Sequence, residues 1–256
     1  MPLWMNVVEA GQGDPVVFLH GLPFSSQMWA GQRHELSSTF RVITPDLRGQ
    51  GATPAGQVPP TLQTCADDVV EMLNEFELDK VAVVAFSMGG YVAMELLRRH
   101  PGRVRGLVLA ATRASADGPA ERRARLAMAE RIERDNSTAP MLGDFLTKLT
   151  SPSTQDPALD ATLREWINQA HPAGLAWTQR AVAAREESFD VLSTLDVPAL
   201  VIVGEDDVIT PLAQAHKMAD VLPDAVLVAL PHAGHLLNLE QPKDFNSVVH
   251  EFLIDL

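Results

Sequence analysis

The chain has 256 residues, enough for one well-filled α/β domain carrying a modest insertion. Hydrophobic residues make up 46% and the formal net charge is −13. This describes a folded protein whose negative surface repels phosphate backbones and anionic bilayers, which excludes nucleic-acid and membrane partners and leaves a small molecule as the expected one.

Along the first 115 residues, short β-branched runs alternate with helix-length stretches. "LWMNVVEAG" supplies one strand, followed by "PVVFLH" (15–20), "RVITPD" (41–46), "VAVVAF" (81–86) and "VRGLVLA" (104–110). Continuous apolar runs of this length fit strands buried on both faces, as in a parallel sheet. Between them lie "QMWAGQRHEL" (27–36), "LQTCADDVVEMLNEF" (62–76) and "MGGYVAMELLRRH" (88–100). In the last, Gly89, Ala93, Leu96 and Leu97 fall on one helix face, with Glu95, Arg98 and Arg99 opposite. Residues 118–188 carry helical patterns only, including "MLGDFLTKL" (141–149), punctuated by Pro140, Pro152, Pro157 and Pro172. Strand–helix alternation then resumes with "PALVIVG" (198–204), "PLAQAHKMADVL" (211–222), "AVLVALP" (225–231) and "PKDFNSVVHEFLIDL" (242–256). The expected fold is α/β: a doubly wound, mostly parallel sheet of about seven strands flanked by helices. Residues 1–117 and 189–256 form the core domain and 118–188 an all-helical cap.

The single cysteine, Cys65, forbids an intramolecular disulfide and suits a reducing compartment. It falls in an expected helix and reads as a small buried side chain rather than a nucleophile. "MPLWMNVVEA" has neither a basic n-region nor an apolar h-region, and no apolar run is long enough to span a membrane, so the expectation is a cytoplasmic protein. The oligomeric state is left open.

Chemistry concentrates where strands meet loops. In "AFSMGGY" (85–91), Ser87 stands between a buried strand and a helix. A tight strand-to-helix turn lifts a serine above the sheet and sets it at a helix N-terminus, whose free N–H groups favour a developing oxyanion. The positions two before and two after such a serine must be small, and here they are Ala85 and Gly89. A helix N-cap is the alternative role for Ser87. A serine nucleophile needs a base. Of the eight histidines, His34, His100, His216 and His250 belong to amphipathic helices, His171 to a helix end, and His20 to a strand end where it would organise backbone. His232 and His235 lie in "LPHAGHLLNLEQP", after the last strand and on the same sheet edge as Ser87. An acid to orient the imidazole is offered on that edge by Glu205, Asp206 and Asp207 in "GEDDVITP".

These stretches together resemble the α/β-hydrolase superfamily, its serine esterase and enol-lactonase branch. "FLHGLP" is similar to the His-Gly loop after the family's third strand and "PDLRGQG" to the loop after its fourth. "AFSMGGY" is similar to the nucleophile elbow, and "GHLLNLEQP" to the catalytic-histidine loop. The resemblance implies Ser87 as nucleophile, His235 as general base and acid, and, from the spacing within "GEDDVITP", Asp207 as orienting acid. It implies an oxyanion hole from the backbone N–H groups of Leu22 and Met88, each such donor typically worth ~3 kcal/mol, and no metal or organic cofactor. It differs in two places: Ala85 replaces the usual glycine, and one strand precedes "PVVFLH" where the family usually has two. Haloalkane dehalogenases and epoxide hydrolases of this fold need a carboxylate at the nucleophile position, so Ser87 sets them aside. C–C hydrolases, haloperoxidases and hydroxynitrile lyases keep the serine, and non-catalytic binding modules of this fold usually lose a triad member. The reading implied is a carboxylic ester hydrolase on small to medium acyl esters, with lactone hydrolysis as the alternative. Phe24, Met128, Met141, Trp166 and Trp177 are the expected pocket residues, and Arg113 either meets an anionic group or pairs with a nearby acid.

Overall fold

In the computed structural model, which describes residues 4–256, the apolar runs pair into a sheet of seven strands. These are β1 (Val7–Ala10), β2 (Pro15–Leu19), β3 (Arg41–Pro45), β4 (Val81–Phe86), β5 (Val104–Ala110), β6 (Ala199–Gly204) and β7 (Ala225–Leu230). Their order is β1-β3-β2-β4-β5-β6-β7, with β1 antiparallel to β3 and every other pair parallel. Leu3 of the expected first strand and the rest of the first three residues, over which no leader is expected, lie outside the described residues.

Successive side chains on a strand point to opposite faces, so each buried strand feeds two cores. Val17, Leu19, Val83, Ala85, Leu107 and Val201 face one. It is closed by α2 (Leu62–Glu75), α3 (Met88–Arg99) and α8 (Leu212–Ala219), numbered with α1 (Ala30–Leu36) as first. Val16, Phe18, Val84, Phe86, Val108 and Ile202 face the other, under α1 and α10 (Pro242–Ile254). Between β5 and β6 run α4 (Pro119–Asp135), α5 (Pro157–Gln169), α6 (Pro172–Ala183) and the short α7 (Phe189–Ser193); α9 (Leu237–Glu240) precedes α10. Pro119, Pro157 and Pro172 each open a helix, where the missing N–H costs nothing. No described helix is long and apolar enough to cross a membrane.

Two local expectations change. "MLGDFLTKL" is not a helix: its residues form parts of two short 3₁₀ turns, Ala139–Leu142 and Leu146–Lys148, with Gly143 between them at ψ −130°. Glu95 is not on an exposed face, because α3 is covered along its whole length from Met88 to Leu97. Burial pushes its carboxyl up, against the opposing charge of Arg98 at 3.8 Å, and its Oε2 has no hydrogen-bond partner among the described residues.

The loop after β3 carries a buried ion pair. Arg48 donates from Nε and Nη2 to the two oxygens of Asp68 at 2.6 and 2.5 Å, and from Nη1 to the Ala55 carbonyl at 3.0 Å. Both side chains are less than a tenth exposed. Removing one partner leaves the other charged and buried. Asp68→Ala is expected to cost about 3–5 kcal/mol in urea denaturation, and the double change Arg48→Met, Asp68→Leu much less.

Candidate active site

The chain runs outward from β2 to β3, then crosses back to place β4 on the other side of β2. Ligands of open α/β sheets bind at the carboxyl ends of strands where the order reverses. Leu19 pairs with Ala85 there, so the loop after β2 and the turn after β4 lie side by side.

Ser87 occupies that turn at φ 52°, ψ −113°, a backbone state costing ~1–3 kcal/mol for a residue with a side chain. Three hydrogen bonds hold it. Its N–H donates to Ala110 O at 2.9 Å, and its carbonyl accepts from Gly90 N–H at 3.0 Å and Thr112 Oγ1 at 2.7 Å. The hydroxyl makes no cap bond to α3. Instead Ser87 Oγ lies 2.9 Å from His235 Nε2, and His235 Nδ1 lies 2.8 Å from Asp207 Oδ2. Met88 opens α3, where first-turn amides have no intrahelical acceptor. Leu22 follows Gly21 in the turn closed by a 2.9 Å bond from Phe24 N–H to Gly21 O.

Each member of this line is itself fixed. Asp207 folds its loop around its carboxylate: Oδ1 accepts from the N–H groups of Ile209 and Thr210 at 2.8 and 2.9 Å, and Oδ2 from the Thr210 hydroxyl at 2.6 Å. Burial opposes its charge, but His235 and these donors hold its carboxyl below the usual aspartate range. The Phe86 ring lies 5.0 Å from the His235 ring, centroid to centroid. His20, fully buried, accepts from Leu47 N–H at Nε2 (2.8 Å), which leaves its proton on Nδ1 to donate to Gly21 O at 3.0 Å. Burial lowers its affinity for a second proton, so it ties the loops after β2 and β3 together as a neutral ring. Cys65 is buried in α2, its thiol pushed up to about 12 by desolvation.

Glu240 in α9, which carried no expectation, fastens the His235 loop to residues 149–154. Its Oε1 accepts from Gly234 N–H at 2.9 Å, and its Oε2 from Ser151 N–H at 2.6 Å and Thr154 Oγ1 at 2.7 Å. Leu236 N–H donates to Leu149 O at 2.9 Å, and Ser151 Oγ donates to Asp206 Oδ2 at 2.6 Å. Asp206, next to the acid that meets His235, is therefore a structural anchor. Gly234 must lack a side chain, since a Cβ there would come within 2.5 Å of Ser151 N.

The family description "alpha/beta hydrolase fold" matches residues 14–242. The chain belongs to this family. It is 33% identical to the pimeloyl-[acyl-carrier protein] methyl ester esterase of Nitrosomonas europaea, over 95% of this chain and 97% of that one. Among solved structures, a thermophilic esterase from Thermogutta terrifontis matches with a TM-score of 0.95 and 35% identity, over 98% of this chain and 93% of that one. The enol-lactonase of Burkholderia xenovorans matches with a TM-score of 0.90 and 26% identity, over 98% and 96%.

Ser87, His235, Leu22 and Met88 border a cavity of about 250 Å³. Met128, Met141, Phe145 and Val182 give it apolar walls, and Tyr91, Arg125 and Gln179 a polar one. Of the expected pocket residues, Met128 and Met141 are therefore here, whereas Phe24, Trp166 and Trp177 are not. Phe24 and Trp166 meet edge to face at 6.0 Å and line a different cleft, because Phe24 turns away from Leu22 toward α5. Trp177 is buried in the core that α2, α3 and α8 close, its Nε1 donating to Val58 O at 3.0 Å. Arg113 pairs with Asp117 at 2.5 Å and Glu121 at 3.1 Å. The tightest constraint on Gly89 comes from the end of β2, since a Cβ there would collide with Leu19 O. The Ala85 methyl points into the core and is fully buried.

Two outcomes follow from this packing. Ala85→Gly is expected to cost about 1 kcal/mol in chemical denaturation without raising turnover. Glu240→Ala leaves three donors without their acceptor, and is expected to lower stability by about 1–3 kcal/mol and kcat by up to about 100-fold.

Proposed function

We propose that the chain is a carboxylic ester hydrolase that works through an acyl-enzyme on Ser87. The observation that carries this reading is the unbroken line from Asp207 through His235 to Ser87 Oγ, at 2.8 and 2.9 Å, opening on an apolar cavity. His235 Nε2 takes the hydroxyl proton as Oγ attacks the ester carbonyl carbon. Asp207 keeps the other imidazole proton on Nδ1 and stabilises the cation that forms. The N–H groups of Leu22 and Met88 receive the oxyanion. Collapse breaks the bond to the alcohol oxygen, which leaves with the proton held by His235. A water then gives its proton to His235 and attacks the acyl carbon, and the acid is released as Ser87 regains its hydrogen. Residues 118–188 act as the cap that shapes the acyl site through Met128 and Met141.

Lactone hydrolysis is the second reading, favoured by the close structural match to an enol-lactonase. It uses the same steps with the leaving alcohol tethered to the acyl group. A fluorophosphonate is expected to add once per chain, on Ser87, and the adduct is expected to vanish in Ser87→Ala. Asp207→Asn is expected to lower kcat by roughly 10⁴-fold. No adduct, together with no turnover of short p-nitrophenyl esters or lactones, would remove the hydrolase reading, and relative kcat/KM across an ester and lactone panel separates its two forms.

A further inference from the structure

The polar wall of the Ser87 cavity is built on one buried carboxylate. Asp117, its side chain about 1% exposed, receives Arg113 and Arg125 at 2.5 Å each and Arg185 at 2.8 Å. Glu121 adds a second carboxylate through Arg113. Three guanidinium groups thus pair with two carboxylates, in a protein whose overall charge is strongly negative.

The three arginines are not equivalent. Arg185 is locked: it donates to Val182 O at 3.2 Å and Ser115 O at 3.1 Å and lies over the Tyr91 ring at 4.1 Å. Arg113 is divided between its two acids. Arg125 alone of the three lines the cavity with Ser87. It spends Nε on Asp117 and one Nη1 hydrogen on Gln179 Oε1 at 3.2 Å, and its Nη2 has no acceptor among the described residues. Gln179 lines the same cavity, and among the described residues its amide nitrogen meets only the Met141 sulfur, at 3.7 Å. A fixed guanidinium edge beside an amide donor is what a carboxylate requires.

We infer that the cavity takes esters bearing a free carboxylate, held by Arg125 and the Gln179 amide while the ester carbonyl lies at Ser87. This rests on the hydrolase reading above and names its substrate class. The side chains of Met128, Met141, Phe145 and Val182, which line the same cavity, suit a short run of methylenes. Asp117 orients Arg125 without touching the substrate. Hydrolysis of a dicarboxylate monoester consumes one water and releases the alcohol and a dicarboxylate.

The test compares monomethyl glutarate with methyl glutaramate, its uncharged isostere, and does the same across the succinate to adipate series. An O-acylated hydroxy acid, set against its amide, places the carboxylate on the alcohol side instead. The wild-type protein is expected to favour one charged member over its neutral partner, and Arg125→Gln to lower that preference by roughly 10–100-fold, with Arg125→Lys between them. The preference should shrink as ionic strength rises. Independently of turnover, glutarate is expected to raise the Tm of Ser87→Ala but not of Ser87→Ala, Arg125→Gln. Equal kcat/KM for charged and neutral partners, or a preference that Arg125→Gln leaves intact, overturns the inference while the hydrolase reading stands. Absence of all ester turnover overturns the hydrolase reading, and the glutarate shift then decides the carboxylate site by itself.

Discussion

A serine held at positive φ sits at the sheet's switch point, and much of the surrounding sequence exists to keep it there. The conformation is costly, so it persists only where neighbours determine it from several sides. β5 supplies Ala110 O and the loop after it Thr112, β2 supplies the Leu19 carbonyl that permits only glycine at position 89, and α3 supplies the Gly90 amide. Gly90 must also be bare, because a Cβ would strike the Thr112 side chain. With its backbone fixed this way, the Ser87 hydroxyl is released from capping and meets an imidazole from a loop 148 residues later.

The loops around the switch point share one device, a carboxylate, buried in Asp46 and Asp207 and half-buried in Glu240, that gathers loop donors. Asp46 accepts from Ser26, Ala52 and Asn6, Asp207 gathers its own loop, and Glu240 gathers the His235 loop and residues 151–154. A buried carboxylate with three or four donors is a precise spacer, since each lone pair must be met. The insertion is fitted to the core in the same spirit at its other end. Gln50 donates to Thr178 at 2.9 Å, and Gly49 and Gly174 pack backbone to backbone, with no room for a Cβ on Gly174.

What the sequence made legible was whatever local backbone physics demands. Apolar runs, prolines at helix starts and small residues around a tight turn are short-range constraints, and they located the strands, the elbow and the loops of His235 and Asp207. Counting the runs gave seven strands, but their order and the antiparallel position of β1 come from pairings between distant segments. The failures have a different origin. Large apolar residues of the insertion were expected in the pocket because they are large and apolar. Which way each faces depends on how α5 and α6 dock, and that sent Trp166 to a separate cleft and Trp177 to the core. Glu95 looked solvated because helical periodicity cannot see a helix covered on both sides. Arg125 and Glu240 drew no expectation of their own, since part of what each holds lies 54 and 89 residues away.

The seam between residues 149–154 and the loops of Asp206 and His235 makes the site only as durable as the insertion's attachment. It combines hydrogen bonds from loop amides and hydroxyls with apolar contact, since Leu149, Ala233 and Leu236 are fully buried in the core shared with β2, β4 and β5. A change that loosens residues 149–154 therefore reaches the His235 loop directly, through Glu240 and Leu149, without passing through the sheet.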